Sequence, residues 1–282
     1  MIALPPASPV IVPPPPVVLA YGIGVDSTAL LIELHARGQT PDLVLTADTR
    51  NEKPETYAYL DRIQDYLGKP VIRLNADQGF DHWYDVYGGM IPSNHRRWCT
   101  KMLKLKPFEA FIGDEPVLNY VGLRADEDRA GYVSHKPNIT PVYPFREDGL
   151  KLADIERILR DSGVGMPPYT EWGRTRSGCF FCFYQQKVEW LNLKERYPDL
   201  FEAAKAYERP YPGNGNVFTW SQGESLEELE RPERADAIRK DAERRRLSRA
   251  VTRADLTLAE VYAERIAPQA DDEDDACVIC TV

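Results

Sequence analysis

Outside a proline-rich opening, the sequence has no apolar run long enough to cross a bilayer, so a membrane span and a membrane partner are not expected. The opening itself, "MIALPPASPVIVPPPP", lacks the basic segment of a secretory signal and carries four consecutive prolines. It reads as a disordered or polyproline-like leader. Basic residues are not in excess: 35 Lys and Arg face 44 Asp and Glu, a net charge of −9. This excludes bulk attraction to a nucleic-acid backbone, while a local basic patch can still bind phosphate. Five cysteines among 282 residues are too few for a disulfide-stapled extracellular module. Without a secretory signal they point to the reducing cytoplasm, where clustered cysteines bind metal or perform redox chemistry. No internal repeat is present.

What remains is a globular composition, 43% hydrophobic, with room for one substantial α/β domain and an appendage or for two small domains. From residue 17, short apolar runs alternate with helical periodicity. "PVVLAY", "DLVLTAD", "VIRLNAD" and "VLNYVGL" read as strands, and 27–37 and 54–67 as helices ended by Gly38 and Gly68. Buried strands alternating with helices predict an α/β fold with an open, mainly parallel sheet and helices on both faces. The expected division is a leader over 1–16, a nucleotide-binding domain over 17–145 and a cysteine-knuckle and helical region over 146–223. Charged, solvent-facing helices over 224–267 and an acidic tail with Cys-x-x-Cys over 268–282 complete it.

"LAYGIGVDSTALL" runs a strand into glycines and then into helix formers. Such a turn gathers unpaired N–H groups and the positive end of a helix dipole, which suits an oxyanion. Gly22 and Gly24 let backbone approach a ligand, and Ser27 and Thr28 add hydroxyls. There is no Lys-Ser/Thr ending as in the Walker loop and no third glycine as in the dinucleotide fingerprint. A plain strand-to-helix turn capped by Asp26 or Ser27 is the alternative.

"GIGVDSTALL" resembles the pyrophosphatase loop of the adenine nucleotide α-hydrolase-like superfamily, and more specifically the phosphoadenosine phosphosulfate reductase family. "TADTRNEKPETYAYLDRI", "RRWCTKMLKLKPFEAF", "VGLRADEDRAGY", "ITPVYPFREDG" and "RSGCFFCFYQQKVEWL" follow in that family's order, over about residues 17–210. Two departures stand out. Gly22 replaces the usual opening Ser, and Ile23 replaces the second glycine, while Gly24, Asp26 and Ser27 are retained. The Asp-Ser ending is typical of superfamily members that split ATP, and the rest of the chain is reductase-like.

The resemblance implies that Asp48, at the end of the second strand, faces ribose or a magnesium ion; a turn role is the alternative. It implies substrate phosphate or sulfate contacts from Arg97, Lys101 and Lys104, whose helical spacing places the two lysines on one side near Arg97. Arg124 and Arg129 carry the same implied role, with salt bridges to Asp126, Glu127 and Asp128 competing. Cys179 and Cys182 form a Cys-x-x-Cys knuckle open to a zinc half-site, a redox pair or buried thiols. Cys99 lies where relatives carry cluster cysteines, so the resemblance implies three ligands for an iron–sulfur cluster, with zinc as the other metal. Cys277 and Cys280 resemble, in position, the catalytic cysteine near the family's C-terminus, with a cluster ligand or an unstructured tail as alternatives.

The expectation is therefore an enzyme that binds an adenine nucleotide, phosphoadenosine phosphosulfate or ATP with magnesium, and reduces a sulfonucleotide to sulfite with a thiol donor such as thioredoxin. An ATP pyrophosphatase that thiolates an acceptor such as a nucleic-acid base is the alternative within the superfamily. A nucleotide-binding regulatory module with structural zinc is the alternative outside enzymology.

Overall fold

The structure is a computed structural model that describes residues 13–254 except 129, 132, 133 and 135. Five parallel strands form one sheet in the order β3-β2-β1-β4-β5: β1 Val17–Ala20, β2 Leu43–Ala47, β3 Ile72–Leu74, β4 Val117–Tyr120 and β5 Ile139–Val142. Val18 lies opposite Leu43 on one side and Asn119 on the other, so β1 is the central strand. The chain builds outward from β1 through β2 to β3 and then crosses to β4. The crevice beyond the carboxyl ends of β1 and β4 is thus the switch point at which open α/β sheets bind ligands.

β1 reads "VVLA", and its alternate side chains feed two separate layers. Leu19 packs with α1 (Val25–Ala36), α2 (Pro54–Leu67) and, further along, α7 (Leu152–Asp161) through Leu30, Leu31, Ile63, Ile155 and Leu159. Val18 and Ala20 face the opposite layer, where Phe108 and Ile112 of α5 (Lys106–Ile112) cover Leu45 and Leu74. Helices therefore lie on both faces, as the sequence pattern predicts. Each fully buried Leu or Ile contributes about 1.5–3 kcal/mol. α2 begins with Pro54 at its first turn, and Gly68 ends it with φ 59°, a left-handed cap that glycine adopts without strain.

β5 is absent from the expectation of four strands. Its "ITPV" contains Pro141, which cannot donate to a ladder, and the strand is tolerated because it lies at the sheet edge and pairs with β4 alone.

A third core is aromatic. Phe80 of α3 (Phe80–Val86), Trp98 of the short α4 (Trp98–Thr100), Phe180, Phe181, Trp190 of α8 (Lys187–Arg196), Phe201 of α9 (Pro198–Ala206) and Trp220 form it. Phe181 and Trp220 stack with centroids 5.2 Å apart and planes 13° apart. Leu226 and Leu229 of α10 (Leu226–Leu229) and Ile238 of α11 (Pro232–Ala254) are buried in it. The expectation of purely solvent-facing helices after 224 is corrected here. Two leucines one turn apart suffice to dock α10, and the buried Glu208 carboxylate accepts the N–H groups of Trp220 and Leu226 at 2.8 and 2.6 Å. Among the described residues, no helix is long and apolar enough to cross a membrane. α6 (Pro144–Glu147) links β5 to α7.

Candidate functional site

The turn between β1 and α1 sits at the switch point. α1 starts at Val25 with Gly24 as its N-cap, two residues before the expected start. Ile23, in the place of a glycine, has φ 56°. A β-branched residue in the left-handed region carries about 1–3 kcal/mol of backbone strain, a reserve that clusters at ligand sites. Arg50, just beyond β2, has φ 61°, so both strand ends beside the crevice turn through the same unusual geometry.

Around the turn, several groups are already engaged. Gly24 N–H donates to Ser27 Oγ at 3.3 Å, and Val25 N–H donates to the Tyr169 hydroxyl at 3.0 Å. The N–H groups of Gly22, Ile23 and Ser27 donate to no described acceptor. Thr28 is fully buried, its hydroxyl 3.0 Å from the Tyr21 hydroxyl. Its expected role as a ligand hydroxyl is corrected to a core contact, because one turn into α1 its side chain points at the sheet. Gly122, just past β4, comes so near that a Cβ there would lie 2.9 Å from the Asp26 carbonyl carbon and oxygen.

A cleft opens beside this turn, lined among others by Gly22, Asp48, Glu52, Tyr57, Arg73 and Lys104. Asp48 lies at the carboxyl end of β2, where it accepts from Arg50 N–H and the Tyr57 hydroxyl, each at 2.8 Å. Burial, and then the bond to Asp48, pushes the Tyr57 phenol above its ordinary value. Carboxylates and cations share the lining, an arrangement suited to hydroxyls and anionic groups of one ligand.

The basic segment differs from a uniform helix. A π-helical turn over Lys101–Leu105 follows α4 and precedes α5. A π-turn advances more residues per turn than an α-helix, so the three-residue spacing no longer stacks the two lysines. Lys104 reaches the cleft, whereas Lys101 is exposed outside it. Arg97 lies with its guanidinium 5.5 Å from the Tyr184 ring centroid.

Arg124 is placed among carboxylates. Its guanidinium meets Asp26 at 2.6 Å, Asp126 at 2.9 Å and Glu127 at 3.5 Å. The competing salt-bridge role is the one it occupies, which sets a cation against Asp26 in the first turn of α1. Arg129, Cys277 and Cys280 lie outside the described residues.

The segment from Tyr169 to Cys182 closes the site, and composition alone gave little sign of it. Ser177 Oγ donates to the Gly22 carbonyl at 2.7 Å, and Gly178 lines the cleft. Lys53 Nζ and Arg174 Nη1 both donate to the Gly178 carbonyl at 3.0 Å, and Arg174 Nη2 donates to the Cys179 carbonyl at 2.8 Å. Burial, and then the neighbouring Arg174 charge, lowers Lys53 to about 8. Cys179 Sγ lies 3.0 Å from Thr49 Oγ1, and burial followed by the Glu52 charge pushes its thiol up to about 11. Cys99 and Cys179 both pack against the aromatic core. Among the described residues, no three His, Cys, Asp or Glu side chains converge closely enough to hold a metal ion.

Residues 16–141 match the phosphoadenosine phosphosulfate reductase domain. This domain, a little under half of the chain, is what the chain shares with the phosphoadenosine phosphosulfate reductase family. The domain spans the whole sheet up to Pro141 in β5, together with the β1–α1 turn, Asp48 and the basic segment. The uncharacterized protein MJ0066 of Methanocaldococcus jannaschii is 29% identical over 72% of this chain and 43% of its own length. The uncharacterized protein MJ0973 of the same organism is 25% identical over 56% of this chain and 39% of its own. The chain thus spans less than half the length of these curated relatives. A phosphoadenylyl-sulfate reductase from Candida auris, solved as a phosphate complex, gives a TM-score of 0.44 at 13% identity, covering 57% of this chain and 80% of that one.

Proposed function

We propose that the chain is an enzyme that binds an adenine nucleotide at the carboxyl edge of its sheet and performs sulfur chemistry on it, with sulfonucleotide reduction as the reaction. The observation that carries this reading is the bond from Ser177 to Gly22, which joins the phosphate turn to the segment bearing Cys179 and Cys182. In the proposed reaction a cysteine thiolate attacks the sulfur of a phosphosulfate and breaks its bond to the bridging oxygen. The nucleotide phosphate leaves with the electron pair, and a thiosulfonate remains on the enzyme. A second thiolate then attacks the cysteine sulfur, forming a disulfide and releasing sulfite; a dithiol donor of the thioredoxin class reduces the disulfide. Cys277 and Cys280 are the thiols assigned to these steps. The open N–H groups at Gly22, Ile23 and Ser27, with Lys104, stabilise charge that develops on the leaving phosphate.

A second reading is favoured by Asp26 and Ser27, the ending typical of loops that split ATP. There the same site cleaves ATP between its α- and β-phosphates, adenylates an acceptor such as a nucleic-acid base and directs sulfur to it. Purified protein incubated with each nucleotide, with sulfite and pyrophosphate as readouts, separates the two. Sulfite from phosphoadenosine phosphosulfate supports reduction, and acceptor-dependent pyrophosphate from ATP supports transfer. Neither product, with nucleotide bound, supports a regulatory module.

A further inference from the structure

Between Asp85 and Glu109 the sequence has no acidic residue and five Lys and Arg, in a chain whose net charge is −9. Arg97 lies on the Tyr184 ring and Lys104 lines the cleft, whereas Arg96, Lys101 and Lys106 are exposed. The side chains of Lys101 and Lys106 make no hydrogen bond or ion pair with any described residue, and that of Arg96 meets only the Met90 sulfur, at 3.4 Å. Elsewhere on the surface, Arg157 of α7 and Arg244 and Arg246 of α11 are each held by a carboxylate of their own helix.

An aromatic ridge joins these cations. Lys106 Nζ lies 5.7 Å from the centroid of the Trp83 ring, and that ring lies 6.4 Å from Tyr87. Tyr87 in turn stacks on the buried Trp98, with centroids 5.3 Å and planes 20° apart. Trp98 Nε1 donates to the carbonyl of Met90, the residue that Arg96 touches, at 3.0 Å. Lys106 and Arg96 thus stand at opposite ends of the ridge. Tyr87 keeps 37% of its surface exposed, beside Val86 at 58%. The carboxylates of α3 are engaged on its other flank, where Asp81 and Asp85 accept from the Tyr207 and Tyr211 hydroxyls.

A tyrosine backed by a buried indole holds its plane and offers the uncovered side to a flat apolar partner, while the unpaired cations around it call for an anionic one. A single nucleic-acid strand presents both, with bases free to stack and a phosphate at every step. A duplex keeps its bases stacked on one another, and an acidic peptide answers the cations but leaves the ring uncovered. We propose that Trp83, Tyr87, Arg96, Lys101 and Lys106 form a docking surface for a single strand of nucleic acid, with a base on Tyr87 and phosphates on the cations. The π-turn that places Lys101 outside also carries Lys104 into the cleft, so the strand lies against the outer wall of the candidate site. Under the transfer reading this strand carries the acceptor base. The surface is tested without nucleotide, so it stands or falls apart from either reaction.

The experiment is fluorescence anisotropy of labelled uridylate and thymidylate dodecamers and of a duplex of the same length. Each is titrated with the full chain between about 50 and 200 mM salt. Both single strands are expected to bind within about threefold of each other, because stacking and phosphate contacts do not read the sugar, and the duplex about tenfold or more weaker. Y87L lowers single-strand affinity about fivefold or more with the salt slope unchanged, and Y87F restores it. K101Q/K106Q flattens the log–log salt slope by about 1.4, from two phosphates at about 0.7 each. A misfolded variant cannot produce this split between affinity and slope. Wild type that binds neither strand, or binds the duplex equally well, overturns the surface. So does an unchanged slope in K101Q/K106Q or unchanged affinity in Y87L. Polyglutamate that displaces the strand as well as unlabelled uridylate does assigns the surface to an acidic peptide and overturns the proposal.

Discussion

The Arg124 guanidinium and the Asp26 carboxylate meet at 2.6 Å, joining the loop after β4 to the first turn of α1. Both side chains are largely removed from solvent, at 18% and 15% exposure, so the pair is screened less than a surface salt bridge. Asp26 would otherwise place an unbalanced negative charge in the first turn of α1, where the proposed function brings the nucleotide phosphate. A single arginine thus holds the loop in position and lowers its charge.

In a double-mutant cycle of R124Q and D26N followed by urea denaturation, the expected coupling is about 1–2 kcal/mol, below the range of a fully buried pair because some solvent remains. R124Q alone destabilises more than D26N alone, since it removes a cation that meets Asp26, Asp126 and Glu127 together. Additive effects of the two substitutions would show that the contact contributes nothing to the loop.

Gly122 is the second support of the same turn. Its missing side chain allows the β4 loop to lie against Asp26, and any Cβ would press on backbone, which cannot swing aside. G122A is expected to cost about 1–3 kcal/mol through displacement of one of the two segments. Nucleotide affinity falls with it, because the N–H groups of the turn move. A variant with unchanged melting temperature and unchanged ATP affinity would show that the approach is loose.

How far these features were readable in the sequence differs from element to element. The alternation of "VVLA" and "LVLTA" with leucine-rich helices revealed the parallel sheet, since buried crossover units leave few other patterns. β5 escaped because Pro141 breaks the strand signal, and only its edge position permits it. The turn at Gly22 was visible from two glycines before a helix. The roles of Thr28 and Lys101 were not, because each depends on helix phase, and a π-turn or an earlier helix start rotates the side chain away from the site. The Tyr169 and Ser177 contacts join residues 144 and 155 positions apart, a relationship that no local pattern encodes.

Ser177 links the cysteine segment to the β1–α1 turn through one short bond to the Gly22 carbonyl. S177A is expected to cost about 0.5–1.5 kcal/mol in stability, the net contribution of one such bond. The larger consequence is local: nucleotide affinity drops several-fold, and Cys179 alkylates faster as its segment loosens. Mass-spectrometric mapping of alkylation with and without ATP reads this directly. Identical labelling of wild type and S177A would mean that the two walls of the site move independently.

Lys53 makes the stability of the fold depend on pH in a defined direction. Its ammonium is buried behind Gly178, with Arg174 near it and only partial compensation from Glu52, Glu55 and Cys179. The folded-state value of about 8 lies below the ordinary 10.5, so between those two pH values the unfolded chain binds more protons than the folded one. Stability therefore rises with pH across that window, and the contribution is lost as pH falls through 8. The Cys179 thiol, pushed up to about 11 by burial, acts oppositely: the folded chain holds that proton longer, so its contribution declines as pH climbs from the ordinary thiol range. Comparison with K53M isolates the lysine, because Cys179 is common to both proteins. Urea denaturation at pH 7 and pH 10 should show the stability difference shifting by up to about 3 kcal/mol in favour of wild type at the higher pH. A difference that stays constant across the two would mean that Lys53 titrates as it does in water, and that its place behind the cysteine segment carries no electrostatic cost.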